Sequence, residues 1–422
     1  RSTFFPPPPR DDREMPEEAF IVDFVRTPFG KRNGSLKGYH PADLGAYVLD
    51  ALVARNGINA SLIDDVVVAC ISQIGAQSAN LARTCVLSSK LPITVPGVTI
   101  DRQGGSGVQA LQFAAQAVMS GTQDVVIACG VESMSHVNIG DNVRDGYKAG
   151  RGQPWGGKGI SKKYGENKMF SQFTGAQLLA EKVGATRKDL DDLSYRSHVL
   201  AAKATKAGYL RKEIVPIKAR DPKTGEEVMQ EIDSSIRFKP NRGKMDQLKP
   251  LFENGFLTAG NSSPTNDGAA ATLICNRKGL KKLGLKPRAK VVSFGVCGSD
   301  PEIMLYGPVP ASKIALAKAG MKLKDLDLYE INEAFASVPF AWVREMKADM
   351  AKLNVHGGAI SVGHPLGGTG VRMLGTLVNA LEIRNQRTGI VAICAGGGTG
   401  NAMIVERVSE DGTSLRRINS KL

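Results

Sequence analysis

Six short stretches of this 422-residue chain hold residue types that move protons or stabilise charge. "GGAISVGHPLGGTGVR", from Gly357, sets a lone imidazole, His364, among glycines, a composition suited to general acid–base work. "CAGGGTG" opens on the thiol of Cys394 and continues into a glycine corner through Gly396. "INEAFAS", from Ile331, offers the carboxamide of Asn332 beside Glu333. "TAGNSSPTNDGAAA" from Thr258 and "ESMS" from Glu132 add small polar groups. The sixth, "DRQGGSGVQALQFAAQAVMSG" from Asp101, is a glycine turn running into an Ala-rich helix. Free N–H groups at a helix start suit a negative atom, yet this turn has neither a Cys nor the Lys of a phosphate loop. Singly, each stretch has a plain structural reading. His364 could bond a neighbour, Cys394 could be buried in a corner, and Asn332 could cap a helix whose dipole favours Glu333.

These groups must be carried by elements. Short β-branched runs ("AFIVDFV", "DDVVVAC", "DVVIACG", "AATLICN", "AKVVSFGV", "GIVAICAG", "NAMIVERV") alternate with helical stretches at 41–56, 107–120, 311–319, 334–350 and 370–384. That alternation predicts an α/β protein with helices on both faces of its sheets. "GSGVQALQFAAQAVMSGTQDVVIACG" from Gly105 parallels "GTGVRMLGTLVNALEIRNQRTGIVAICAG" from Gly368: glycine turn, helix, short turn, then a strand reaching Cys. Two distant copies of one unit imply a duplicated domain pair.

Composition narrows the class. Six scattered cysteines with no CxxC pair argue for free thiols in a reducing compartment, against a disulfide framework or a zinc site. No apolar run approaches membrane-spanning length. The formal charge is +14, and 23 Lys and Arg stand against 15 acids between His136 and Asn254. No basic stripe interleaved with aromatics points to nucleic acid. Most of these cations are read as solvated helix faces, with a few left to meet a polyphosphate ligand. The organisation read from the chain is a proline-rich extended tail (1–18), a first domain (19–135 with 255–285), an inserted basic lobe (136–254), a second domain (286–409) and a tail (410–422). The chain opens on Arg, consistent with processing, and closes on Ser420-Lys421-Leu422, a peroxisomal address. An organellar matrix is therefore expected, the peroxisome favoured over a mitochondrion reached by a cleaved presequence.

Taken together and in this order, the clusters resemble the thiolase family over about Ala19 to Val408. "VRTPFGKRNGSL", "GYLRKEIVPI" and "GPVPASK" add to the likeness. The resemblance implies two duplicated α/β domains forming a five-layered core, an inserted loop domain, and a homodimer or homotetramer. It implies coenzyme A or an acyl-CoA as substrate or ligand, with no covalently bound cofactor and no metal. By that likeness His364 would activate a thiol and hold a thioester oxygen, and Cys394 would be the second acid/base. Asn332 would position a water completing one oxyanion site. The N–H of Gly396 would serve the other, with that of the nucleophile position. Ala259, Ser263 and Phe335 would line the substrate tunnel.

One departure is central. Family sequences place the nucleophilic Cys in "Q-C-S-S-G" or "C-A-S-G", whereas this chain reads Gln103-Gly104-Gly105-Ser106-Gly107. A helix start lowers a thiol's pKa, so the position suits a thiolate; glycine keeps the N–H array and loses the attacking atom. Ser106 lies two positions on, about 200° around a helix. A second departure is "MFSQFTGAQLLA" from Met169, which puts Gln172 and Phe173 on the acyl-pocket wall. Three readings follow. The favoured one is a pseudoenzyme subunit, binding CoA or acyl-CoA or serving a larger organellar complex. The second is an enzyme without a covalent step, working by decarboxylation or retro-Claisen cleavage. The third is an active acyltransferase whose Gly104 is a substitution.

Overall fold

The structure is a computed structural model and describes residues 17–166 and 168–415. The proline-rich start and the Ser420-Lys421-Leu422 end lie outside these residues. Apolar runs rich in Val and Ile become strands buried along most of their length. The first half holds β1 (Phe20–Arg26), β2 (Gly30–Lys31), α1 (Pro41–Asn56), β3 (Asp65–Ala69), α2 (Leu81–Ser88), β4 (Val98–Ile100), α3 (Ser106–Met119) and β5 (Val125–Ser133). A lobe follows with α4 (Asp141–Lys148), α5 (Lys158–Tyr164), α6 (Gln172–Lys182), α7 (Arg187–Lys206), the hairpin β6 (Ile217–Arg220) and β7 (Glu227–Gln230), and α8 (Arg242–Asp246). The chain then returns to the first half as β8 (Asn266–Cys275) and α9 (Arg277–Leu283). The second half comprises β9 (Ala289–Gly298), α10 (Pro308–Lys318), β10 (Leu328–Ile331), α11 (Ser337–Met346), α12 (Ala359–Val362), α13 (Leu366–Ile383), β11 (Thr388–Ala395) and β12 (Thr399–Arg407).

The strand order β10-β11-β12-β9-β1-β8-β5-β3-β4 makes the duplication explicit. β3 runs parallel to β5, and β5, β8 and β1 follow antiparallel. Likewise β10 runs parallel to β11, and β11, β12 and β9 follow antiparallel. The halves join where Phe20 and Ile21 of β1 pair with Lys290 and Ala289 of β9.

Residue parity assigns each side chain to a layer, because successive strand residues face opposite ways. Val66, Val68, Ile127, Cys129, Ala271 and Leu273 pack with α1 and α2. Their neighbours Val67, Ala69, Val126, Ala128, Ala270 and Ile274 face α3 and α13. The second half repeats this: Ile390, Ala392, Ala402 and Ile404 pack with α10 and α11, while Val391, Ile393, Met403 and Val405 join α3 and α13. The result is five layers, helix–sheet–helix–sheet–helix. The two central helices cross at glycines. A Cβ built on Gly107 would lie 2.7 Å from the Gly370 nitrogen, and one on Gly370 2.3 Å from that of Val108. Only glycine lets the backbones approach so closely.

A buried charge cluster ties the lobe to this core. Arg26 of β1 reaches Glu213 at 2.8 Å and Asp233 at 2.6 Å, and Glu213 also accepts from Thr376 and Asn379 of α13. The structure differs from the sequence-based elements around the "NEAF" motif. The helix expected over 334–350 spans Ser337–Met346 and stops at Lys347, whose φ of 52° is left-handed. Asn332 is therefore no helix cap; it follows β10, a four-residue strand that periodicity does not reveal because "LYEI" has no clear alternation and lies wholly buried.

Candidate active site

His364 sits in the turn between α12 and α13, almost fully buried. Its Nδ1 lies 2.7 Å from Thr369 Oγ1, and that hydroxyl donates to the Pro365 carbonyl at 2.9 Å. With the hydroxyl proton so directed, the ring must donate from Nδ1, which leaves Nε2 as the basic atom. Asn332 Nδ2 stands 3.4 Å from Nε2, and Asn332 Oδ1 is buried without a partner. Burial, with the Arg372 guanidinium adding to it, holds the imidazole at a pKa of about 3. The ring is thus neutral across the physiological range.

Two buried carboxylates clamp the turn from either side. Glu333 accepts from Ile360 N (3.2 Å), Ser197 Oγ (2.7 Å) and Asn354 Nδ2 (2.8 Å). Glu132, near the end of β5, accepts from Gly367 N, Ile71 N and Ser72 N, each at 3.1 Å, and from Gln77 Nε2 at 3.0 Å. Burial pushes both pKa values up while these N–H bonds oppose it. Asn266 Oδ1 adds a third hold, accepting the His364 backbone N–H at 3.0 Å. Within "ESMS" and "TAGNSSPTNDGAAA" neither Glu132 nor Asn266 is distinguishable as a support of this turn from sequence alone. A carboxylate at the end of an apolar strand was the available signal.

Asn332 N donates to Ala392 O, two residues before Cys394 in β11, so the second thiol lies next along the same junction. Cys394 is buried among Phe335, Ala334 and Ile360, and burial pushes its thiol up to about 12. At neutral pH it is therefore a protonated thiol, not a thiolate.

The glycine turn meets Cys394 from the first half. A Cβ built on Gly104 would lie 2.8 Å from the Cys394 carbonyl oxygen, and one on Gly105 2.6 Å from Asn401 Oδ1. Both are closer than real Cβ contacts, so this turn is packed for two glycines. The Gln103 side chain lies against Gly396, the other half of the expected oxyanion site, and Gln103 itself has a left-handed φ of 47°. Ser106 offers no replacement nucleophile. It is wholly buried, and its Oγ accepts from Arg102 N (2.7 Å) and donates to Gln103 O (2.6 Å).

The structure thus brings together Gly104, Gly396 and Cys394, and joins them through β11 to Asn332 and His364. Of the substrate-binding candidates, Ser263 donates its N–H to Ala334 O, and Phe335 pairs with Ser262. Ala259 is exposed in the turn that precedes them. Phe173 does not fill an interior tunnel. It is 43% exposed and meets Phe335 edge-on, ring centroids 5.5 Å apart. Among the described residues no group of three or more His, Cys, Asp or Glu could hold a metal ion.

Comparison with known proteins gives concordant matches. Residues 19–278 match the model of the thiolase N-terminal domain and residues 285–407 that of the thiolase C-terminal domain. A steroid 3-ketoacyl-CoA thiolase of Mycobacterium tuberculosis is 43% identical over 392 residues, covering 93% of this chain and 94% of its own length. A 3-ketoacyl-CoA thiolase of Cronobacter sakazakii is 39% identical over 401 residues, 93% of this chain and 100% of its own. The crystal structure of the Bacillus anthracis acetyl-CoA acetyltransferase superposes with a TM-score of 0.81 at 35% identity, covering 93% of this chain and 99% of that one.

Proposed function

This chain belongs to the thiolase family, and from that premise we propose that it binds CoA thioesters without forming an acyl-enzyme. The observation that carries this reading is the turn at Gly104. It has no side chain, no room for one beside the Cys394 carbonyl, and no free hydroxyl or thiol nearby on the same turn. Covalent acyl transfer needs an attacking atom at that place, and loss of a nucleophile leaves only binding and oxyanion stabilisation. The relatives named as thiolases support 3-oxoacyl-CoA or acyl-CoA as the ligand class and fatty acid metabolism as the setting. His364 Nε2 and Asn332 Nδ2 form the polar end of the site, and Ser263 and Phe335 flank its approach.

A second reading has one specific support, the retained basic Nε2 beside the unpartnered Asn332 Oδ1, two acceptors that together suit a water donating to both. On that reading the protein performs a non-covalent decarboxylation or retro-Claisen cleavage. The third reading, an active acyltransferase with Gly104 as a substitution, is disfavoured by the 2.8 Å approach at Gly104. Self-association into a homodimer or homotetramer belongs to the same proposal. Its support is the sheet edge at β4, where Val98 is exposed and where Ile93 and Leu87 lie close by in sequence.

The test is calorimetry with CoA and acetoacetyl-CoA, a thiolysis assay, and intact-mass spectrometry after incubation with acetoacetyl-CoA. The expected result is binding with neither thiolysis nor an acyl adduct. Robust thiolysis or a stable adduct overturns the reading, whereas CoA-independent cleavage supports the second one.

A further inference from the structure

Two short basic helices, α9 on the first half and α5 in the lobe, differ in how the fold treats their charge, and only α9 is largely paired. On α9, Arg277, Lys278 and Lys282 pair with Glu18, Glu17 and Asp124, and Lys286 just beyond pairs with Glu410. The lobe is different. Between Gly146 and Gly165 stand Lys148, Arg151, Lys158, Lys162 and Lys163 without a single Asp or Glu. All five are exposed, and among the described residues none makes an ion pair.

The local architecture holds these charges outward. In α5, Ile160 and Tyr164 are one turn apart and half-buried, while Lys158, Lys162 and Lys163 are exposed. Tyr164 packs edge-on against Phe170 at 5.3 Å, and Trp155 meets the same ring at 6.3 Å. This aromatic trio anchors an otherwise glycine-rich excursion. Around it, Tyr147 is 59% and Met169 61% exposed. No interior packing accounts for these two side chains, and no internal carboxylate accounts for the five cations.

We propose that this excursion, over the described residues 139–166 and 168–170, is a docking surface for an anionic lipid membrane. Charge complementarity carries the choice of partner. Four of the five cations without an ion pair are lysines, one of them (Lys163) over the Tyr164 ring at 5.3 Å. Lysines are compact hydrated charges suited to a diffuse negative surface, whereas bidentate recognition of one carboxylate or phosphate favours arginine. Exposed Tyr and Met beside them, with Ile139 39% exposed, provide groups that sit at a lipid–water boundary. The attachment is peripheral, because no described helix is long and apolar enough to cross a membrane. This inference does not depend on the reading of the glycine turn.

The experiment is co-sedimentation of the full chain with vesicles of phosphatidylcholine alone and of phosphatidylcholine mixed with phosphatidylserine. Binding to the mixed vesicles only, weakening as salt is raised, is the expected result. Replacing Lys158→Glu, Lys162→Glu and Lys163→Glu together lowers partitioning by about tenfold or more. The same charge change at Lys313, Lys318 and Lys324 leaves most of it, since those residues lie on the other half. Circular dichroism checks that both variants fold. Three outcomes with vesicles overturn the proposal: no partitioning of the unaltered protein, equal losses in the two triple variants, or release from vesicles by free CoA. Release by CoA would assign the cations to a soluble phosphate ligand. Tighter binding to duplex DNA than to mixed vesicles would also overturn it.

Discussion

At the scale of single residues, Gly104 is a packed feature of the site and more than an omission. The Cys394 carbonyl oxygen stands 2.8 Å from where a Cβ would go, so Gly104→Cys must push the end of β11 or the turn aside. The expected outcome is a loss of about 1–3 kcal/mol in urea unfolding, typical of overpacking, with thiolysis no better than trace. Full activity in that single variant would show that the strand end yields freely. The buried histidines give a second prediction. His364 titrates near 3 and His198 and His356 near 4, each held down chiefly by burial. Unfolded, each titrates near 6.5, so below that pH the unfolded chain binds more protons and stability falls as pH drops. Each histidine contributes a slope of up to about 1.4 kcal/mol per pH unit between its two values. The buried carboxylates Glu132 and Glu333 work in the opposite sense, so the informative measurement is a difference. His356→Phe, which replaces a ring stacked on Tyr209, should flatten urea midpoints between about pH 6.5 and 4 relative to the parent protein. Identical slopes would contradict the assigned burial.

At the scale of elements, the His364 turn owes its place to strands from both halves. Glu132 lies near the end of β5 and Glu333 follows β10, and they accept the backbone N–H groups of Gly367 and Ile360 on either side of the imidazole. Glu132→Ala strands Ile71 N, Ser72 N, Gly367 N and the Gln77 amide in the interior. The expected loss is about 3 kcal/mol or more, with acetoacetyl-CoA affinity falling because the turn loses its hold. Calorimetry that finds unchanged affinity in a folded variant would separate the clamp from the site. Much of this level was legible beforehand. The seven β-branched runs all fall in strands, and helix α1 matches its expected limits, since period and Pro/Gly boundaries are local signals. β10 and the early stop of α11 were not legible. A four-residue strand buried on both faces has no alternation, and Lys347 in a left-handed conformation carries no glycine to announce it.

At the scale of the whole molecule, duplication places one glycine turn from each half at the centre, where α3 and α13 cross. It also leaves β4 as a sheet edge, with Val98 44% and Ile93 75% exposed. If copies associate through that edge, Val98→Lys with Ile93→Lys lowers the mass measured by light scattering toward that of one chain. An unchanged mass locates the interface elsewhere.

By itself the sequence determined the α/β class, the internal repeat and the family likeness, because these rest on periodicity, glycine placement and motif order. It also determined that no thiol stands at position 104. The tertiary structure alone decided that Nε2 is the basic atom of His364, that Ser106 is locked, and that the Cys394 carbonyl packs too close to Gly104 for a side chain there. The first two rest on hydrogen bonds between near neighbours whose geometry only the folded turns fix, and the third on two segments from opposite halves meeting within van der Waals distance. No local pattern encodes the register between two halves that touch only after both have packed.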